Sequence, residues 1–196
     1  MLNPYTQAWQ NGQSNSNSQN GRPSIFGALP YPTPDGATPT FFSFRFTSFN
    51  PNVLNCVILG PQSRPHFRIV TDTPLPGVSV LQNSNGQNVA LVQWHRHPEI
   101  EIRGVVNRQR TSAALTLSRD QTSRSMTVNR TTMTFVPRQD NFIWIYDGDS
   151  QTDILGRISR AQDSIHLELT GEAIHTGLLE SAVMAAFLLQ CGRNID

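Results

Sequence analysis

A chain of 196 residues and 21.8 kDa has room for one domain of ordinary size, with a core that needs no disulfide or metal staple. Fifteen basic and fourteen acidic residues leave a formal charge of +1, which excludes a bulk electrostatic attraction to nucleic acid. Every basic residue is an arginine, so a Schiff-base lysine, a phosphate-loop ammonium and lysine modification are excluded too.

The chain opens on MLNPYTQAWQNGQSN, which has neither a basic n-region nor an apolar run and does not read as a signal peptide. Residues 1–24 are dominated by Asn, Gln, Ser and Gly, and 25–39 carry four prolines, so 1–39 reads as a disordered leader. Tyr5, Trp9, Phe26 and Tyr31 are scattered along it, and a short recognition segment is the alternative to plain leader. No run of apolar residues is long enough to cross a bilayer. Cys56 and Cys191 lie in apolar surroundings and read as reduced, buried thiols. A cytoplasmic protein, peripheral to a membrane or nuclear, is the expectation, with the Asn129-Arg130-Thr131 sequon unglycosylated.

From residue 40 the pattern has period two, punctuated by Gly, Pro, Asn and Asp, and predicts many antiparallel strands. In TFFSFRFTSF, Phe42, Phe44 and Phe46 face one way and Phe41, Ser43 and Arg45 the other. Strands are predicted over 55–60, 66–72, 78–83, 88–96 and 99–106, then over 114–118, 125–130, 132–137, 141–147, 153–160 and 164–169. Residues 173–190 are apolar on nearly every side and end at Cys191-Gly192, which predicts a buried helix with a tail at 193–196. The expected fold over 40–192 is mainly β: a closed antiparallel β-barrel of about 12 strands around the buried C-terminal helix, an arrangement that removes strand edges.

Several segments carry a resemblance. FxFxxFNPNVLNCVILG at Phe44 to Gly60, FRIVTD at Phe67 to Asp72, VALVQWHRHPEIEIRG at Val89 to Gly104, IWIYDGDSQTDILGRISR at Ile143 to Arg160 and the apolar C-terminal helix resemble an uncharacterised domain of mushroom-forming fungi. That domain is assigned to the tubby-like, LURP-one-like and scramblase-like superfamily of β-barrels around a central helix. The resemblance spans about three-quarters of the chain. It implies that fold and no established chemistry; relatives include phosphoinositide-binding proteins, without a lipid-site motif that transfers residue by residue.

Between Arg103 and Arg138 there are seven arginines against one acidic residue, Asp120. Arg103, Arg108, Arg110, Arg124 and Arg130 are the candidate ligand-binding residues, since converging guanidinium groups clamp an anionic phospholipid headgroup or an acidic protein partner through forked hydrogen bonds. The opposing reading places these arginines around a solvated surface. Few aromatics interleave them, so nucleic acid is not an expected partner. His95, His97 and Glu101 form HxHxxxE, superficially a cupin metal motif whose residues would share one face of a strand, but Pro98 interrupts it and no later histidine completes the set.

No nucleophile elbow or phosphate loop is present, and no cofactor is expected. Trp94 and Trp144 read as packing residues, and His166 and His175 as ordinary polar contacts. The sequence points to a non-catalytic binding domain whose site lies outside or on the rim of the sheet. The alternatives are a cupin-like metal-dependent enzyme using His95, His97 and Glu101, or a structural scaffold.

Overall fold

The computed structural model describes residues 40–72, 77–149 and 151–196; the leader, with Tyr5, Trp9, Phe26 and Tyr31, lies outside the described residues. The strands are β1 (Phe41–Thr47), β2 (Cys56–Leu59), β3 (Pro65–Thr71), β4 (Val78–Asn83), β5 (Asn88–Gln93), β6 (Glu99–Ile102) and β7 (Val106–Arg110). After the one-turn helix α1 (Thr111–Ala114) come β8 (Thr116–Leu117), β9 (Arg124–Val128), β10 (Thr131–Pro137), β11 (Phe142–Asp147), β12 (Ile154–Arg160) and β13 (Ile165–Thr170). Two helices, α2 (Gly171–His175) and α3 (Leu179–Gln190), follow.

All thirteen strands form one antiparallel sheet, in the order β7-β6-β5-β4-β3-β2-β1-β13-β12-β11-β10-β9-β8. Period-two patterning sets which face is covered. Phe44 and Phe46, Phe67 and Ile69, Ile100 and Ile102, and Met133 and Phe135 are buried in one cluster with Ala182, Val183, Ala185 and Phe187 of α3. Strand β1 joins the two halves, pairing with β2 on one side and with β13 on the other.

The expected closed barrel is not found. Strands β7 and β8 stand at opposite ends of the order and share no ladder; α1 carries the chain from one to the other. The composition of the edges accounts for this. On β7 only Val106 is buried, and Asn107, Arg108, Gln109 and Arg110 are exposed, so no apolar row asks for a further strand. On the other side β8 is two residues long. A short strand and a charged strand are both devices that blunt a sheet edge. The tubby-like and central-helix description therefore does not hold for this open sheet.

Two local features also differ from expectation. The strand predicted over 99–106 breaks at Gly104, whose φ of +72° allows the chain to reverse, and returns as β7. The helix predicted over 173–190 is divided at Gly177, φ +76°. There Leu178 N–H donates to Ala173 O (3.1 Å) and Gly177 N–H to Ile174 O (3.1 Å), the paired bonds of a Schellman motif that closes α2 before α3 begins. With 12 residues, α3 is the longest helix described, and among the described residues no helix is long and apolar enough to cross a membrane. Of the last four residues, Ile195 is buried and Asp196 is held by Arg124.

Candidate functional site

The register of the ladders gathers one set of loops at the end of the sheet where α3 terminates. Strand β1 ends at Thr47, β2 begins at Cys56, β12 ends at Arg160 and β13 begins at Ile165, and these ends meet Gln190 to Gly192 around a shared cleft. The loop of residues 48–55 is the main wall. It is tied internally by Asn50 N–H to Asn55 O (2.9 Å) and Leu54 N–H to Asn52 Oδ1 (3.0 Å). It is tied to β3 by Thr71 N–H to Asn55 Oδ1 (2.9 Å) and by the Thr71 hydroxyl donating to Leu54 O (2.6 Å). Val53 and Leu54 sink into the core. A loop held at both levels presents its polar groups in a fixed geometry.

This wall has a cleft on each side. The first, of about 590 Å³, is lined by Ser48, Phe49, Val53, Arg160, Asp163 and Cys191 among others. Arg160 donates to Gln190 O at 3.3 Å, placing a cation at the carbonyl end of α3 where the helix dipole favours it. The second, of about 540 Å³, is lined by Ser48, Asn50, Asn55, Val57, Arg68 and Thr71, with Pro51 and Val57 supplying apolar surface and Cys56 and Ile69 buried behind them.

Each cleft includes a cysteine; Cys56 is buried as expected, Cys191 at the cleft wall is only half-buried, and neither thiol is activated. Burial pushes the Cys56 thiol up to about 12, against a smaller opposing hydrogen bond from the Ile69 backbone. Burial also raises Cys191, opposed by the backbone N–H and the charge of Arg193. The thiolate is the reacting form, so Cys56 is expected to stay unmodified by Ellman's reagent at about pH 8 in the folded protein and to react once urea unfolds it. Fast labelling of Cys56 in the folded state would refute this burial. A raised folded pKa also means that this group's contribution to stability is full below about 8.5 and is lost as pH rises towards the folded value.

The candidate arginines do not converge. Arg108, Arg110 and Arg124 lie at the α3-terminal end, since Glu99 pairs with Arg110 and Leu117 with Arg124 in register; Arg103 and Arg130 lie in the β6–β7 and β9–β10 turns at the opposite end. Arg108 Nε donates to Glu99 Oε2 at 2.7 Å and its guanidinium also reaches Gln93 Oε1. Arg124 grips both Asp196 oxygens, at 2.9 and 2.6 Å, and donates to Leu115 O at 3.1 Å. Arg103, Arg110 and Arg130 are exposed.

The clasp on Asp196 has a pH signature. The hydrogen bond from Arg124 holds its carboxyl below the usual range, with the guanidinium charge adding and partial desolvation opposing. A depressed folded pKa stabilises above the unfolded value of about 3.9, and that stabilisation is lost as pH falls through the folded value. The carboxyl ¹³C titration of Asp196 is expected to move back towards about 3.9 in Arg124→Gln, and an unchanged midpoint would show that the fork does not hold the carboxylate.

The HxHxxxE residues are separated by the fold. His95 and His97 lie in the exposed loop between β5, which ends at Gln93, and β6, which begins at Glu99 just after Pro98, while Glu101 is inside β6, so no single strand aligns the three. Among the described residues no three His, Cys, Asp or Glu side chains come together as metal ligands. Trp94 stacks edge-on to Phe187 at 6.1 Å and donates to Ser79 Oγ at 2.7 Å, and Ser79 in turn meets the Thr71 hydroxyl at 2.6 Å. Trp144 lies on the other face of the sheet, donating to Asp140 Oδ2 at 2.9 Å beneath the Arg157 guanidinium. His166 meets Ser164 Oγ at 3.0 Å and His175 bonds Gly171 O at 2.7 Å.

Reading the sequence missed the 48–55 loop, Arg68 and Arg160. The available signal was the polar run SFNPNVLN between two strands, longer than a tight hairpin needs.

These features define a mainly β domain with one large open antiparallel sheet. No family model and no curated protein matches the chain. A protein from Arabidopsis thaliana, solved by X-ray crystallography, is similar with a TM-score of 0.40 and 14% identity over 75% of this chain and 92% of that one. A likeness at that level carries no argument. Membership of the tubby-like, LURP-one-like and scramblase-like superfamily is thus without support, and the open sheet contradicts the closed barrel that the resemblance implied.

Proposed function

We propose that this domain is a non-catalytic binding module whose partner is a protein segment seated in the cleft between the 48–55 loop and Arg160–Asp163. The observation that carries the reading is the cleft itself: about 590 Å³, within the usual size range of ligand sites, and walled by a loop tied to the core. Its lining mixes Arg160, Asp163, Gln162 and Gln190 with Phe49 and Pro51. Both charge signs and side-chain amides suit the alternating donors and acceptors of a peptide backbone, and the apolar residues suit one or two anchoring side chains.

The dispersal of the five candidate arginines over two ends of the sheet, with Arg108 and Arg124 already engaged by carboxylates, favours a protein partner over an anionic phospholipid headgroup. The test is selection of binding peptides from a random display library on the full chain, followed by calorimetry. Arg160→Ala and Asp163→Ala are expected to weaken a selected peptide about tenfold each, with Arg110→Ala without effect. Equal binding by all three variants would remove this cleft as the site. Flotation with vesicles of phosphatidylcholine and a phosphoinositide, abolished by Arg108→Ala with Arg110→Ala, would replace the protein reading with the lipid one.

A further inference from the structure

The cleft on the other side of the 48–55 loop has a different chemistry. Its charged lining residue is Arg68, on β3, and no aspartate or glutamate lines it. The residues opposite Arg68 in register are Val57 and Gln82, so no carboxylate faces it across the sheet, and among the described residues none pairs with it. Asn55 has its side-chain oxygen committed to Thr71 N–H at 2.9 Å, which leaves its NH₂ group as the free half of the amide. The Thr71 hydroxyl is spent on Leu54 O and Ser79. What remains for a ligand is a guanidinium fork, amide NH₂ donors and the Ser48 hydroxyl, beside the apolar surface of Pro51 and Val57.

We infer that this second cleft binds the carboxylate of a small organic acid, gripped by Arg68 with the Asn55 amide beside it and its apolar body against Val57 and Pro51. A guanidinium presents two parallel donors matched to the two oxygens of a carboxylate. A single cation balances a single negative charge, which favours a carboxylate over a phosphate monoester carrying nearly two. The same carboxylate chemistry comes from a free acid or from the C-terminus of a peptide. This site shares the loop with the proposed peptide cleft but not the cation, so either can fail alone.

The experiment is ¹H–¹⁵N NMR titration of the full chain with benzoate and with benzamide, its neutral isostere. Benzoate is expected to shift the Asn55 side-chain amide and the Val57 and Arg68 backbone signals, binding about tenfold more tightly than benzamide. Arg68→Gln, at an exposed position whose folding the same spectrum verifies, is expected to erase that difference. Arg45→Gln removes the same charge from outside the cleft lining and is expected to keep it. An acetylated dipeptide with a free C-terminus, run against its amidated form, separates the two sources. Equal effects of benzoate and benzamide, an equal loss in Arg45→Gln, no shifts at all, or tighter binding of inorganic phosphate would each overturn the assignment.

Discussion

Phe187→Ala is expected to destabilise the domain by about 3–5 kcal/mol, the usual cost of emptying a large aromatic site that neighbours fill only in part. Phe187 is fully buried on α3, and its ring meets the Trp94 indole edge-on at 6.1 Å. The loss therefore reaches past the helix. Trp94 is the donor that leads through Ser79 and Thr71 to the carbonyl of Leu54 in the cleft wall. Urea unfolding monitored by tryptophan fluorescence is the measurement, with a lower midpoint, an unchanged slope and altered Trp94 emission in the folded baseline as the expected result. A midpoint shift worth less than about 1 kcal/mol would mean that α3 does not anchor the core in the way its burial implies.

Gly156→Ala should be nearly as damaging, by overpacking. A Cβ at this position would fall inside the contact distance of the Glu168 carbonyl oxygen and 2.8 Å from Leu169 Cδ2. Gly156 stands opposite Leu169 on β13 and next to the register shift on β11, so the obstructing atoms include backbone of a paired strand and cannot simply swing aside. The strands have to part, at a cost of about 3 kcal/mol. For a domain of this size that is a fall in melting temperature of about 6–12 °C. A variant melting within about 2 °C of the parent would show that β12 and β13 separate easily.

Much of the secondary structure was legible because period two is local. FFSFRFT carries its own instruction that Phe44 and Phe46 face one way, and the structure buries both in the core. The burial of residues 181–188 was legible for the same kind of reason, since an apolar stretch with few polar positions has no face to offer water. The breaks were harder to read. Gly104 and Gly177 each reverse the chain with a positive φ, but a glycine inside an otherwise good pattern is a weak sign until neighbouring hydrogen bonds are known.

The candidate site was far less legible. Arg103 and Arg110 are neighbours on the page and occupy opposite ends of a hairpin. Arg124 and Asp196 are 72 residues apart and share a bidentate pair. The charge count between 103 and 138 carried no information about where each guanidinium would point, and the two clefts are assembled from chain ends and a loop whose residues look unremarkable one at a time.

By itself the sequence determined that this is a mainly β domain with an apolar C-terminal segment in its core and the Cys56 thiol shielded from solvent, because alternation, local hydrophobicity and turn chemistry act over a few residues. The tertiary structure alone decided that the sheet stays open, that the long helix is two helices, and that Arg68 stands beside the 48–55 loop with no carboxylate facing it. Those outcomes depend on which strands find a partner and in what register, and register is settled by the packing of the whole sheet at once.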